Sequence, residues 1–447
     1  MTAAGILFTL VMIVLLLRVP RRWAALPFLL GAAYMTLGQQ VEIGPLHFSV
    51  IRILIVIGLL RVMAKGERIA GGMTALDWAA ILWGTWAIFS ALFHEPGTVI
   101  LRSGVVYTEL GVYFLMRVFI REPEDVRVLC RILCIVLIPL AFAMLMEKLT
   151  ARNYFAVLGG VSPEVAVREG RLRASGPFRH AILAGTVGAV CLPMALLLWR
   201  DYRRLAVAGA LAAILIVYAS GASGPVMTAV FVLAGMAAWR IRQHVPKLIW
   251  AALLLVIALA FVMNDPVYYL LARIDITGGS TGWHRAALIE SAIKHLSEWW
   301  LVGTDQTRHW MPTGVYSSDK HTDITNHFIQ MGVFGGLPLM FLFSVLLFRA
   351  FVSLREVFQR LKPENRRDQF TVWTLGAVLF GHATAFMGIS YFDQTVVFLY
   401  LVLAAIGSLH AMRIRAGIPK AEKLAEKVKR PELAAQGAPL HWFPRVS

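Results

Sequence analysis

The run Leu248-Ile-Trp-Ala-Ala-Leu-Leu-Leu-Val-Ile-Ala-Leu-Ala-Phe-Val-Met263 holds sixteen consecutive residues without a charged or amide side chain. A helix made of it has no polar face to turn toward water, and ~20 mostly apolar residues suffice to cross the hydrocarbon of a bilayer. Arg240, Arg242 and Lys247 precede the run and Asn264-Asp-Pro266 follows it, so it reads as a span with one basic end and one end free of Lys and Arg.

The same pattern repeats along the chain. Spans are predicted at about residues 2–17, 24–41, 46–62, 75–93, 98–118, 126–147, 181–199, 205–220, 224–240, 247–263, 326–348, 370–390 and 395–412. Hydrophobic residues are 58% of the 447 and charged residues 15%, with a mean hydropathy of +0.68; ~25% charged is usual for a soluble domain. The expected fold is an all-α polytopic transmembrane helix bundle of 12–13 spans, twelve if the first run does not cross. That first run has no basic residue before it and no small-residue cleavage site after it, so it reads as a span and not a removable leader.

Basic residues collect in alternate connections: Arg18/Arg21/Arg22, Arg61/Lys65/Arg68, Arg117/Arg121/Arg127, Arg200/Arg203/Arg204, Arg240/Arg242/Lys247 and Arg349 to Arg367. The intervening ones around Gln39–Gly44, His94–Gly97, Ser220–Gly224 and Tyr391–Asp393 have neither Lys nor Arg. Cytoplasmic loops carry the Lys/Arg excess, so the basic set is expected in the cytoplasm, with the N-terminus outside and the C-terminus inside. The net charge of +17 is thereby spent on topology and lipid contact; no nucleic-acid partner is implied. Cys130, Cys134 and Cys191 give no disulfide framework and too few ligands for zinc, and read as small packing residues.

Residues 1–412 are expected to form one transmembrane domain and 413–447 a cytoplasmic charged tail, its Lys420 to Arg430 stretch a short helix attracted to anionic membrane lipid. Two outer loops are long, 148–180 and 264–325, and loops beyond ~15 residues are commonly functional. Within the second, Ala287, Leu288, Ala292 and Leu296 recur at helical spacing and Trp299 and Trp300 suit a membrane interface, so a partly helical loop lying on the outer surface is expected. No internal repeat of the transporter kind is evident.

Three outer segments could carry chemistry. Arg171-Leu-Arg-Ala-Ser-Gly-Pro-Phe-Arg-His180 places Arg173, Arg179 and His180 on the side that should be poor in cations, with a Gly-Pro turn able to bring the guanidinium groups together. Arginine recognises phosphate oxygens in planar pairs, although translocated loops also escape the charge bias and meet lipid headgroups. Thr281-Gly-Trp-His-Arg285 opens the expected surface helix, where His284 and Arg285 could hold an anion or anchor at the interface. His321-Thr-Asp-Ile-Thr-Asn-His327 offers Asp323, His321 and His327 as candidate bases and Asn326 to orient a hydroxyl. The last set lacks His-x-x-x-His spacing, so no metal centre and no cofactor are expected, while Gly332, Gly335 and Gly336 read as close helix packing. Inside spans, Arg52 and Arg102 either face the bundle or snorkel outward, and Glu109 stands where it could pair with Arg102. Glu42 and Asp393 mark the outer side.

In these segments the chain resembles the superfamily of O-antigen ligases and of O-antigen and exopolysaccharide polymerases, bacterial membrane glycosyltransferases of the GT-C type. Three stretches carry the resemblance. They are Arg173-Ala-Ser-Gly-Pro-Phe-Arg-His180, the large loop with His284-Arg285 and Trp299-Trp-Leu-Val-Gly303, and the exit Thr325-Asn-His-Phe-Ile-Gln-Met-Gly-Val-Phe-Gly-Gly336. The layout matches over about residues 25 to 412. The chain departs from the ligases where they show Ser-Arg before their ninth span, reading Ser220-Gly-Ala-Ser-Gly224, and where they show His-Asn at the loop exit, reading Thr325-Asn326.

The resemblance implies an undecaprenyl-diphosphate-linked glycan donor, a glycan or lipid A-core acceptor, and catalysis on the periplasmic face of the bacterial inner membrane. Arg173, Arg179 and Arg285, helped by His180 and His284, would hold the diphosphate, and Asp323 or a neighbouring histidine would take the acceptor's proton. Because diphosphate leaves readily, neither a metal nor a strong acid is required, and direct displacement inverts the anomeric centre. The competing expectation is a transporter or flippase of a lipid-linked or anionic glycan.

Overall fold

The structure, a computed structural model, describes residues 1–168, 170–270, 282–312, 315 and 317–417. The chain is a polytopic transmembrane helix bundle. Among the described residues every expected span contains a helix: α1 Ala3–Arg18, α2 Leu26–Tyr34, α3 Val50–Lys65, α4 Ala75–Ser90, α5 Thr98–Phe119, α6 Pro123–Thr150, α7 Ala181–Leu197, α8 Arg203–Ser220, α9 Ser223–Ala237 and α10 Val245–Val262. The outer loop contributes α11 Gly282–Lys294 and α12 Leu296–Trp299, and three long helices close the bundle: α13 His327–Arg360, α14 Arg366–Ala385 and α15 Val396–Gly417. With the 3-10 turns that carry α4 on to Phe93 and α9 on to Ile241, eight of these are long and apolar enough to cross a bilayer, and α1 and α7 are shorter apolar helices.

The expected span at 24–41 is corrected by α2, which has nine residues and therefore rises ~14 Å, about half the hydrocarbon thickness. After Tyr34 the chain leaves the helix because Gly38 comes against the backbone of Gly159 and Gly160 and because Gln39 donates to the carbonyl of Leu158. The start of the 46–62 span is likewise a strand: β1 Gln40–Ile43 pairs antiparallel with β2 Leu46–Ser49. Arg52, just beyond, donates from Nη1 to the carbonyl of His47 at 2.6 Å and from Nε to Thr108 at 3.0 Å, fastening this hairpin to α5.

α15 is the most enclosed of the eight long helices, and it packs on α5, α13 and α14. Lipid supplies no hydrophobic drive between helices, so close approach depends on small residues. A Cβ on Gly188 of α7 would stand 2.8 Å from the carbonyl of Ala213 in α8, and Cys134 of α6 lies against Gly209. All three cysteines are buried thiols. α10 stands apart and buries none of its residues.

Contacts sort the connections into the two groups that their charges define. On one face, Asp77 receives Arg117 at 2.7 Å with both side chains fully enclosed, Arg21 meets Asp125 at 2.9 Å, and Arg127 meets Glu124 at 2.8 Å and Asp368 at 3.2 Å. Arg367 meets Asp201 there at 2.7 Å. On the opposite face, His94 contacts Asp305, Gln394 contacts Pro177, and the N-terminal amine reaches Gln40. The terminal segment from residue 418, with the expected Lys420–Arg430 helix, lies outside the described residues.

The surface helix of the long loop is present, and its inner face buries His284, Ala286, Leu288 and Ala292. Of the two interface tryptophans, Trp300 is exposed, but Trp299 is buried and donates from Nε1 to Ala292. Gly332 makes room for it, since a Cβ there would meet the Trp299 ring at 2.5 Å. Gly335 and Gly336 also allow close packing, since a Cβ at 335 would stand 2.8 Å from Ser90 Oγ of α4 and one at 336 would run into the backbone of Leu301, but they do more than pack. They break α13, with Gly336 in the left-handed region at φ 74°, and the freed backbone binds neighbours. Trp86 donates to the carbonyl of Gly335 at 2.8 Å, and Leu337 donates to that of Trp300 at 2.8 Å.

Candidate functional site

The segment 171–180 is held from three sides. Glu147, at the end of α6, accepts from the amides of Ser175 and Gly176, both at 2.8 Å, while Lys148 donates to the carbonyl of Leu172 at 2.7 Å. The amide of Ala174 donates to Ala219 at the end of α8. From the third side Asp393 accepts the amide of Arg179 at 3.1 Å and Gln394 donates to Pro177 at 2.8 Å. A buried carboxylate that takes two amides fixes a turn firmly. Glu147 and Lys148 thus position the arginines, a role their place at a span end conceals in the sequence.

β3 Ala166–Arg168 and β4 Arg171–Arg173 form a hairpin that carries Arg168 and Arg173 toward His180. Solvent still reaches the His180 ring. Crowding by protein, then the charges of Arg173 and Arg168, push its pKa down to about 4. Its Nδ1 accepts the amide of Ile182 at 3.1 Å, which fits a ring without a proton on that nitrogen.

From the second loop, α11 brings His284 and Arg285 to Asp323. The Nε2–H of buried His284 donates to the carbonyl of Asp323 at 3.0 Å, and its Nδ1 is buried with no partner among the described residues. Arg285 lies against Gly388, in the turn after α14. Its Nε is buried and also without a partner among the described residues. Burial and the charge of Arg168 lower the pKa of Arg285, and Asp323 opposes them. For Asp323, burial raises the carboxyl above its ordinary range, against the pull of His284, Arg285 and Arg168.

Arg168 therefore connects the two loops: it stands within electrostatic reach of His180, Arg285 and Asp323. The sequence reading missed it, although Arg168-Glu-Gly-Arg171 is a visible turn between two cations. The result is a group of guanidinium ions around one carboxylate. Like charges so placed repel unless an anion joins them, and the bare Nε of Arg285 supplies a donor for one.

The other expected residues are placed elsewhere. Asn326 caps α13, its Oδ1 accepting the amides of Phe328 at 2.9 Å and Ile329 at 3.2 Å. His327 is buried between Phe386, stacked at 4.7 Å, and Phe343, while its Nδ1 accepts the amide of Tyr391. His321 belongs to another cluster, 3.4 Å from Thr307 and near Asp305, Glu95 and Lys320; burial is the main cause lowering its pKa. Among the three candidate bases, Asp323 alone faces the arginines, and the three do not converge as metal ligands. Deeper in the bundle, Arg102 rests 3.7 Å over the Phe334 ring and stands within electrostatic reach of Glu109. Thr281 lies outside the described residues.

Compared with known protein families and with curated proteins, the chain matches none.

Proposed function

We propose that the chain is a glycosyltransferase of the O-antigen ligase or polymerase type, working on the face that bears the two long loops, here taken as the periplasmic face of a bacterial inner membrane. The observation that carries this reading is the buried Nε of Arg285, without a partner among the described residues, beside Asp323 and Arg168. Such a donor suits a diphosphate, and an adjacent carboxylate with a raised pKa suits proton abstraction.

In this reading Arg285, Arg168 and Arg173 hold the diphosphate of an undecaprenyl-linked glycan, with Arg179 at the rim. The acceptor hydroxyl, from a glycan chain or a lipid A-core, loses its proton to Asp323 as its oxygen bonds to the anomeric carbon. The bond from that carbon to the diphosphate oxygen breaks with inversion, and the departing charge falls on the arginines, whose contacts strengthen in a site poor in water. No step calls on a cofactor. His284 acts as a positioning residue, because its hydrogen bond to the Asp323 carbonyl fixes the backbone from which the base projects.

The surface glycan of a deletion strain tests the assignment. Loss of chain length marks a polymerase, and complete chains left on the carrier lipid mark a ligase. Donor retained on the cytoplasmic side instead would replace this reading with a transporter or flippase.

A further inference from the structure

A second cluster of ligating side chains lies away from the arginine group. One ligand atom each from His295, Glu298 and His309 can be chosen so that all lie within 4.8 Å of one another. We propose that these three residues bind a divalent first-row transition ion of the zinc class, which fastens the end of the surface helices to the segment 305–312.

The donor set is two imidazoles and a carboxylate, a combination that zinc accepts with one position left for water. Ligands at ~2.0–2.1 Å from a tetrahedral ion stand ~3.3 Å apart. His309 Nε2 and Glu298 Oε2 are 2.9 Å apart, so modest side-chain rotation admits the ion. In its absence these two atoms share a proton, and the ion would take the proton's place.

The surroundings orient the ligands. His295 donates from Nδ1 to the carbonyl of Ser291 at 2.9 Å, which leaves Nε2 with its lone pair free for a metal. Metal-bound histidines usually have such a partner on the second nitrogen. The Trp310 ring stacks on His295 at 5.7 Å and 14°, and its Nε1 donates to Glu298 at 3.0 Å. Both rings and the carboxylate are thus held before any ion arrives. The site is open to water, with the His309 side chain half exposed.

Position separates this site from the transfer chemistry. His295 follows Arg285 by ten residues, ~15 Å along a helix, so the ion clamps and does not react. What it clamps leads to the base: the amides of Thr307 and Arg308 both donate to the carbonyl of Lys320, three residues before Asp323.

The test uses the full chain, purified in detergent without a histidine tag and freed of metal, titrated with Zn²⁺ by calorimetry and with Co²⁺ by its visible spectrum. One ion per chain at micromolar affinity or better is expected, with a thermal midpoint that rises on zinc addition. His295→Ala and His309→Ala should each weaken binding more than tenfold, and Trp310→Phe, which removes the donor to Glu298 and shrinks the ring stacked on His295, should weaken it about 10–100-fold. Absence of saturable binding by the unaltered protein would overturn the proposal without reference to any variant. So would one-to-one binding undiminished in the His295→Ala/His309→Ala double variant.

Discussion

The guanidinium of Arg285 lies so close to Gly388 that a Cβ at 388 would meet its Nε at 3.4 Å. The turn after α14 therefore shapes the space in which the arginine can move. Gly388→Ala adds an ordinary van der Waals contact and should leave transfer near the unaltered level. Gly388→Leu should push the guanidinium aside and cut turnover as deeply as Arg285→Ala, and the double variant should be no worse than either. Comparing turnover of the three at equal membrane abundance checks this coupling.

Arg285→Ala removes a donor that strengthens as diphosphate departs, a loss worth ~10²–10³ in rate at comparable sites. Arg285→Lys should recover little of it, since an ammonium cannot present the planar fork. Arg168→Ala should also slow transfer, with a larger effect at low salt, because Arg168 acts on Arg285 and Asp323 through its charge. Steady-state rates with a lipid-linked oligosaccharide over a salt series measure both effects.

Asp323 supplies a pH dependence. Burial raises its pKa in the folded chain, so the acid limb of the rate profile should lie above ~3.9, the ordinary aspartate value, and activity should fall as pH drops through it. Stability runs the other way. A carboxyl with a raised folded pKa favours the folded state most at low pH and loses that contribution as pH rises through the folded value. Asp323→Asn should thus be inactive at neutral pH yet unfold no earlier than the unaltered protein. An Asp323→Asn variant with an unchanged pH profile would pass the role of base to another group.

On the basic face, Arg117 and Asp77 are a fully buried, two-pronged pair, joined by Tyr113 at 2.8 Å and Ser408 at 3.1 Å. Removing one partner of such a pair strands a charge, at a cost of about 3–5 kcal/mol. Arg117→Ala should reduce membrane abundance sharply while the turnover of the surviving protein stays the same. Quantitative blotting with activity per inserted chain separates the two.

Much of this architecture is legible in the sequence because it is local. An apolar run such as 248–263 announces a helix, and the Lys/Arg alternation groups the connections that the structure brings together on each face. What the sequence conceals depends on partners far along the chain. The helix at 24–41 stops early because Gly38 must fit against Gly159 and Gly160. Gly335 and Gly336 read as packing residues because a glycine pair gives no sign that its carbonyls will serve Trp86 or that Trp300 will need Leu337. Within the candidate site, Arg173, His180, His284, Arg285 and Asp323 were visible as cations and a carboxylate in outer loops. Arg168 carried only the weak signal of a turn between two cations, and it becomes significant only when the fold brings its charge within reach of Arg285 and Asp323. Asn326 and His327 looked like catalytic types, but one caps a helix and the other fills an aromatic box, uses that composition cannot distinguish from chemistry.

The most direct measurement is the release of undecaprenyl diphosphate by the purified chain reconstituted with a lipid-linked oligosaccharide and an acceptor glycan. The expected result is one carrier diphosphate released per glycan transferred, with inverted linkage, and release reduced at least a hundredfold by Arg285→Ala and by Asp323→Asn. Release and transfer at the unaltered rate by both correctly inserted variants would contradict the account.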